Sequence, residues 1–169
     1  MQIRRLGPAD ALAYRELRLR GLKDHADAFT SSWEEESASP LAATEARLSP
    51  SGDGRMWGAF LDGALVGAVG LRREDRMKIR HKATVFGMYV TQEHQGRGVG
   101  AALLAHLIGE AQADPGLEQL DLTVTQANDR ARTLYEQAGF RSFGIEPRAI
   151  RVGDTYHGKN HMQLFLTPP

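Results

Sequence analysis

Gln95-Gly96-Arg97-Gly98-Val99-Gly100 stands between two apolar runs, and its reading decides the fold. Upstream, Ala83 to Val90 (Ala-Thr-Val-Phe-Gly-Met-Tyr-Val) has the composition of a mostly buried strand, and Gly87 within it predicts a bulge or a close backbone approach. Downstream, Gly98 to Ala113 is apolar almost all round, with Val99, Leu103 and Leu107 in register, so a buried helix ends before Asp114-Pro115-Gly116. Glycines at 96, 98 and 100 remove the Cβ atoms that keep a backbone away from an anion. Consecutive N–H groups then converge on one point at the positive end of the helix dipole. Such charge-assisted bonds contribute roughly 1.5–3 kcal/mol each, so a few anchor a pyrophosphate. Arg97 adds a cationic arm.

Several nucleotide-binding patterns compete for this junction. A Walker A loop ends in Gly-Lys-Ser/Thr, and Gly100-Ala101-Ala102 supplies none of that. Gly96, Gly98 and Ala101 satisfy the dinucleotide pattern G-x-G-x-x-A, with Asp121 downstream as the acidic partner. That partner belongs at a strand end, whereas Asp121 is followed by Leu122-Thr123-Val124-Thr125 and falls mid-strand. A glycine-rich turn without a ligand stays open at this level.

Working outward, Ile3 to Leu6 reads as a strand and Pro8 opens a helix with Leu12, Leu17, Leu19 and Leu22 on its apolar face. Lys23 to Pro50 carries the acidic run Glu34-Glu35-Glu36 and a short helix around Leu41 to Leu48. Met56 to Leu61 and Ala64 to Leu71 form a hairpin about Asp62-Gly63. Arg72 to Lys82 is a solvated loop and strand start, and Gln119 to Thr125 a strand. Asn128 caps a helix through Ala138, with Gly139 at the left-handed C′ position. Phe140 to Ile145, Ala149 to Val152 and His161 to Leu166 are further strands. A hairpin followed by a strand–helix–strand unit implies an α/β fold with a mixed sheet.

At 169 residues the chain suits one domain over 1–169. Acidic and basic residues balance at 21 each, which gives no electrostatic reason to expect nucleic acid or an anionic membrane as partner. With no cysteine, a thiolate metal site and a Cys acyl-enzyme are excluded. No apolar run approaches the ~20 residues of a membrane span, and nothing resembles a signal peptide, so a cytoplasmic protein is expected. His157 and His161 are four apart, but Gly158 and a turn-like context argue against a helical metal pair, and no metal is expected.

A second block, Asn128-Asp129-Arg130-Ala131-Arg132-Thr133-Leu134-Tyr135-Glu136-Gln137-Ala138-Gly139-Phe140, accompanies the loop in order and at a fitting distance. Together the two resemble the GNAT N-acetyltransferases, whose signature is Gln/Arg-x-x-Gly-x-Gly/Ala and then Asn-x-x-Ala-x-x-Leu-Tyr-x-x-x-Gly-Phe. The resemblance is strong from Ala83 to Phe140 and looser outside it. It implies a twisted mixed sheet of about seven strands flanked by about four helices, with a V-shaped splay between the two central parallel strands.

The same resemblance implies acetyl-CoA as donor and a primary amine as acceptor, transferred directly in a ternary complex. Backbone groups of Met88, Tyr89 and Val90 would meet the pantetheine arm. The amides of Gln95, Gly96, Arg97, Gly98, Val99, Gly100 and Ala101 would hold the pyrophosphate, and Asn128 would touch the cofactor near the wedge. Tyr135, two turns beyond Asn128, would protonate the leaving thiolate; packing in the core is its other reading. Many relatives carry a glutamate where Thr84 stands here, so the general base is open among His81, Glu34, Glu35 and Glu36. The acidic run is otherwise solvated surface or an attractor of a cationic amine. Relatives are often homodimers, and a non-catalytic acyl-CoA-binding module is the alternative on the same fold.

Overall fold

The structure, a computed structural model, describes residues 1–52 and 54–166. Asp53 and residues 167–169, which the expectation of one domain over 1–169 includes, lie outside the described residues. The strands are β1 (Gln2–Arg5), β2 (Arg55–Leu61), β3 (Ala64–Arg73), β4 (Lys82–Val90), β5 (Gln119–Thr125), β6 (Arg141–Val152) and β7 (Thr155–Phe165). They form a seven-stranded sheet in the order β1-β2-β3-β4-β5-β7-β6. Among the described residues only the β4–β5 pair is parallel. The helices are α1 (Ala11–Asp24), α2 (Trp33–Ala38), α3 (Leu41–Leu48), α4 (Val99–Gln112) and α5 (Asp129–Gln137).

Each sheet face has its own core. On one, Leu103, Leu104 and Leu107 of α4 and Tyr135 of α5 pack on Val69, Leu71, Val85, Leu120 and Met162. Each such leucine, almost fully buried, contributes roughly 1.5–3 kcal/mol. On the other face Ala11, Tyr14 and Leu17 of α1 and Leu48 of α3 pack on Met56, Ala68 and Tyr89. The α1 stripe therefore runs through Ala11, Tyr14, Leu17, Gly21 and Leu22, whereas Leu12 faces solvent. A spacing of three and four residues selects Tyr14, which a leucine-only reading passes over.

Local chemistry fixes the turns. Asp62 and Gly63 have φ of 49° and 82°, as a two-residue hairpin requires. Gly70 pairs with Phe86 and Ala68 with Tyr89, so two steps on β3 face three on β4; the extra residue sits at Gly87, whose φ is 64°. That is the expected bulge.

β4 and β5 pair only at Lys82–Gln119, Ala83–Leu120 and Thr84–Asp121. Beyond that rung β5 continues to pair with β7 through Thr125, and β4 with β3 through Val90. The facing edges of β4 and β5 thus diverge into an open V. Three expectations need correction. α2, absent from the sequence reading, forms because Ser32 caps it: Ser32 Oγ accepts from Glu35 N at 3.1 Å while a Glu35 oxygen accepts from Ser32 N at 3.0 Å. Ala149 to Val152 is also not a separate strand, since β6 runs unbroken from Arg141 to Val152. His157 and Gly158 accordingly lie inside β7 and not in a turn. Gly158 has the close approach of a glycine in a strand: a Cβ there would strike the Gln126 side chain.

Candidate active site

Val90 runs through a short 3-10 turn, Gln92–His94, into the glycine loop and α4. Gly96 and Gly98 have φ of 75° and 78°, left-handed values that a side-chain residue tolerates poorly. Gly96, Arg97 and Gly98 are exposed, and a Cβ on Gly98 would meet open space. Its requirement is conformational, and the surface it presents is bare backbone. Gly100 works differently, since a Cβ there would sit 3.4 Å from Leu134 Cδ2, where α4 and α5 pack.

Gln95 N donates to Gln92 O and Ala102 N to Gly98 O. Between them, the amides from Gly96 to Ala101 have no acceptor among the described residues. They sit at the positive end of a 14-residue helix. This is a run of donors suited to an anion with several oxygens.

The loop is braced by contacts that the sequence did not reveal. Gln95 Nε2 donates to Val90 O at 2.9 Å, and Arg130 Nη1 donates to Gln95 Oε1 at 2.8 Å. The other Arg130 nitrogen lies 3.6 Å from where a Gly96 Cβ would stand. The Gln95 side chain is therefore a strut, and Arg130 is a second cation over the loop beside Arg97. No motif or spacing in the sequence singles out Arg130, which comes from the first turn of α5.

Thr91 N donates to Val66 O on the β3 side. Strand alternation then turns the backbone of Tyr89 to β3 as well, and the amides of Val90 and Met88 into the V. Of the three residues expected to offer backbone groups there, Tyr89 is the one turned away. Its ring packs on Gly21 of α1, and its hydroxyl donates to Asp24 Oδ2 at 3.4 Å.

Asn128 Oδ1 accepts from Ala131 N at 3.0 Å, which caps α5 and leaves its side-chain amide free to donate. Tyr135 is buried, its ring edge-on to Phe140 at 5.9 Å. Burial alone pushes its phenol up to about 12, so it is protonated at any physiological pH.

The base candidates separate cleanly. His81 precedes β4, roughly 30 Å along the strand from the end at Val90, and lines a different pocket with Arg73 and Arg80. Glu35 is held by Ser32 in the α2 cap, which keeps its carboxyl below the usual range. Glu36 lies against Arg18 at 3.8 Å and Arg47 at 3.4 Å, pinning α2 to α1 and α3. Glu34 lines an open pocket of about 520 Å³ with Lys23, Phe29, Trp33, Ile150 and Val152. Thr84 donates to Glu74 Oε1 at 3.4 Å and pairs with Asp121, so two carboxylates stand at the last closed rung of the V.

The sheet is mixed, seven-stranded and open between its two parallel strands, with a run of acceptor-free amides at the mouth. The chain belongs to the acetyltransferase (GNAT) family, whose sequence model matches residues 20–140. It is 42% identical over 64 residues to the ribosomal protein bS18-alanine N-acetyltransferase of Escherichia coli strain K12, a stretch covering 38% of this chain and 43% of that one. The chain thus spans less than half the length of that curated relative. It superimposes on an acetyltransferase of the GNAT family from Streptococcus pneumoniae with a TM-score of 0.86 at 26% identity, covering 97% of this chain and 98% of that one. It also shares the fold of yncA from Salmonella typhimurium, solved with its cofactor acetyl-CoA, at a TM-score of 0.81, 24% identity and coverage of 100% and 95%. Among the described residues no helix is long and apolar enough to cross a membrane.

Proposed function

We propose that the protein transfers an acetyl group from acetyl-CoA to a primary amine, with donor and acceptor held together. The observation that carries this is the run of acceptor-free amides from Gly96 to Ala101 at the mouth of the β4–β5 opening. It supports a pyrophosphate site with a route for an extended arm along β4. Arg97 and Arg130 add positive charge at that mouth.

When bound, acetyl-CoA supplies the thioester that the amine attacks. The Val90 and Met88 amides meet the pantetheine arm, and the Met88 amide stabilises negative charge on the acetyl oxygen. The Asn128 side-chain amide donates near the wedge. Tyr135 holds a proton for the leaving sulfur; burial pushes its phenol up to about 12, which keeps it protonated at neutral pH. Glu74 and Asp121, at the closed end of the V, take the proton from the incoming ammonium through water. Glu34, in a pocket it shares with Lys23 and Arg151, is the carboxylate placed to pair with an amine that enters.

The first acceptor class to test is the free α-amine of a peptide, because the E. coli relative acts on a protein's alanine. Thiol release from acetyl-CoA with peptides bearing free N-terminal residues should exceed that with the same peptides blocked. Equal release from both would remove this acceptor class. Thr84, in place of a strand glutamate, favours a second reading in which the fold only binds acyl-CoA. On that reading, cofactor binds and no amine in a broad panel releases thiol.

A further inference from the structure

We propose that Lys159 and Thr125 form a latch that holds the acceptor wall against the donor wedge, making Lys159 a positioning residue for acetyl transfer; this rests on the acetyltransferase reading above. Lys159 lies within β7, paired with Thr125 on one side and Glu146 on the other, and is 5% exposed. An ammonium has three donors and no acceptor. All three are matched: Asp27 O at 3.2 Å, Ala28 O at 3.0 Å and Thr125 Oγ1 at 2.8 Å. Having accepted from Lys159, Thr125 Oγ1 donates its own proton to Asp27 O at 2.6 Å.

The closed set joins two parts of the site. Asp27 and Ala28 belong to the connection between α1 and α2, which has no helix or strand of its own at that point. Its next residues, Phe29 to Glu34, line the pocket into which Glu34 faces. Thr125 is the last residue of β5, whose free edge borders the V. Burial disfavours the Lys159 charge more than the nearby Asp27 carboxylate favours it, so the cation is a poor source of stability beside an apolar side chain of equal length. What the ammonium adds is direction, fixing two carbonyls and a hydroxyl at one point. Amine attack needs reacting atoms about 3–3.5 Å apart, and a shift of about 1 Å costs on the order of 10²-fold in rate. A joint shared by acceptor wall and donor wedge controls that separation.

Lys159→Met keeps the stem and removes the donors, Thr125→Val removes the hydroxyl at nearly constant shape, and Thr125→Ser restores it. Each is compared with the intact protein for acetyl-CoA affinity by calorimetry, steady-state acetylation of a hexapeptide with a free N-terminal alanine, and amide hydrogen exchange. Lys159→Met and Thr125→Val are expected to hold acetyl-CoA within about twofold and to lose on the order of 10–100-fold in kcat/KM for the peptide. The Ala28 and Ser32 amides, which donate to His25 O and Glu35 Oε2, exchange at least about tenfold faster in both, with those of β4 and α4 unmoved, and Thr125→Ser behaves as the intact protein. Because the latch is one unit, the double variant loses little more than either single one. Unchanged exchange at Ala28 and Ser32 in Lys159→Met overturns the latch, whether or not the hexapeptide is an acceptor; if that variant does not fold, unchanged exchange in Thr125→Val overturns it equally. Failure of the intact protein to bind acetyl-CoA overturns the acetyltransferase reading instead.

Discussion

Tyr135 meets Phe140 edge to face, with ring centroids 5.9 Å apart and planes at 66°, and Phe140 N donates to Tyr135 O at 3.0 Å. The ring is thereby locked at both ends of its short loop, and the hydroxyl's position follows. Tyr135→Phe keeps the ring and removes only the proton donor. Turnover is expected to fall about 10²-fold with acetyl-CoA affinity unchanged by calorimetry. Loss of cofactor binding in this variant would make Tyr135 a structural residue.

The same phenol makes an alkaline prediction. Its folded pKa is raised, so its contribution to stability is complete below the unfolded value near 10 and is lost as pH rises toward about 12. The lost amount is about 3 kcal/mol. Denaturant titrations at pH 9 and pH 12 should show the intact protein losing that much more stability than Tyr135→Phe, a difference that removes the contributions of Tyr14 and Tyr89. Parallel loss in both proteins would place the phenol in a solvated site.

If Glu74 and Asp121 relay the amine's proton, Glu74→Gln and Asp121→Asn each lower kcat about tenfold or more, and the double variant lowers it further. KM for acetyl-CoA stays constant. Full turnover in the double variant would leave deprotonation to bulk water.

Arg130 braces Gln95 and stands over Gly96, so it acts on cofactor affinity rather than on chemistry. Arg130→Ala is expected to weaken acetyl-CoA about three- to tenfold, since exposed charges interact weakly, and to flatten the salt dependence of binding. An unchanged salt slope would remove Arg130 from the anion site.

Asp114 receives Arg55 at 2.6 Å and Arg73 at 2.7 Å, tying the α4–β5 connection to β2 and β3 far from the mouth of the V. Asp114→Asn should cost about 1–2 kcal/mol, a fall in Tm of about 2–8 °C, with acetyl-CoA affinity intact. A weakened cofactor site would show that the two ends of the strands are coupled.

The regular centre of the molecule is legible in the sequence because its signals are local. Glycines with left-handed φ, an asparagine cap and a buried helix each declare themselves within a few residues, and the bulge at Gly87 and the Asp62-Gly63 turn follow from glycine chemistry alone. β6 reads as two strands because it is an edge strand with exposed Phe143 and Ile145, and nothing imposes alternation on a strand with little of itself buried. The acidic run hides three different duties, cap, ion pair and pocket wall, which only the packing of α2 separates. Arg130 and Lys159 act across the fold, on partners far away in sequence, and no spacing announces them. Thr84 cannot act as a base, and the carboxylate beside it comes from the loop after β3.

The central claim is that the amides from Gly96 to Ala101 hold acetyl-CoA. Isothermal titration calorimetry of the intact protein against acetyl-CoA, with Gly98→Glu as control, tests it directly. The φ of 78° at Gly98 makes that substitution strained as well as repulsive to phosphate. Micromolar binding, abolished in Gly98→Glu while the far-ultraviolet spectrum is retained, is the predicted result. No heat from the intact protein, or equal binding by the variant, would contradict it.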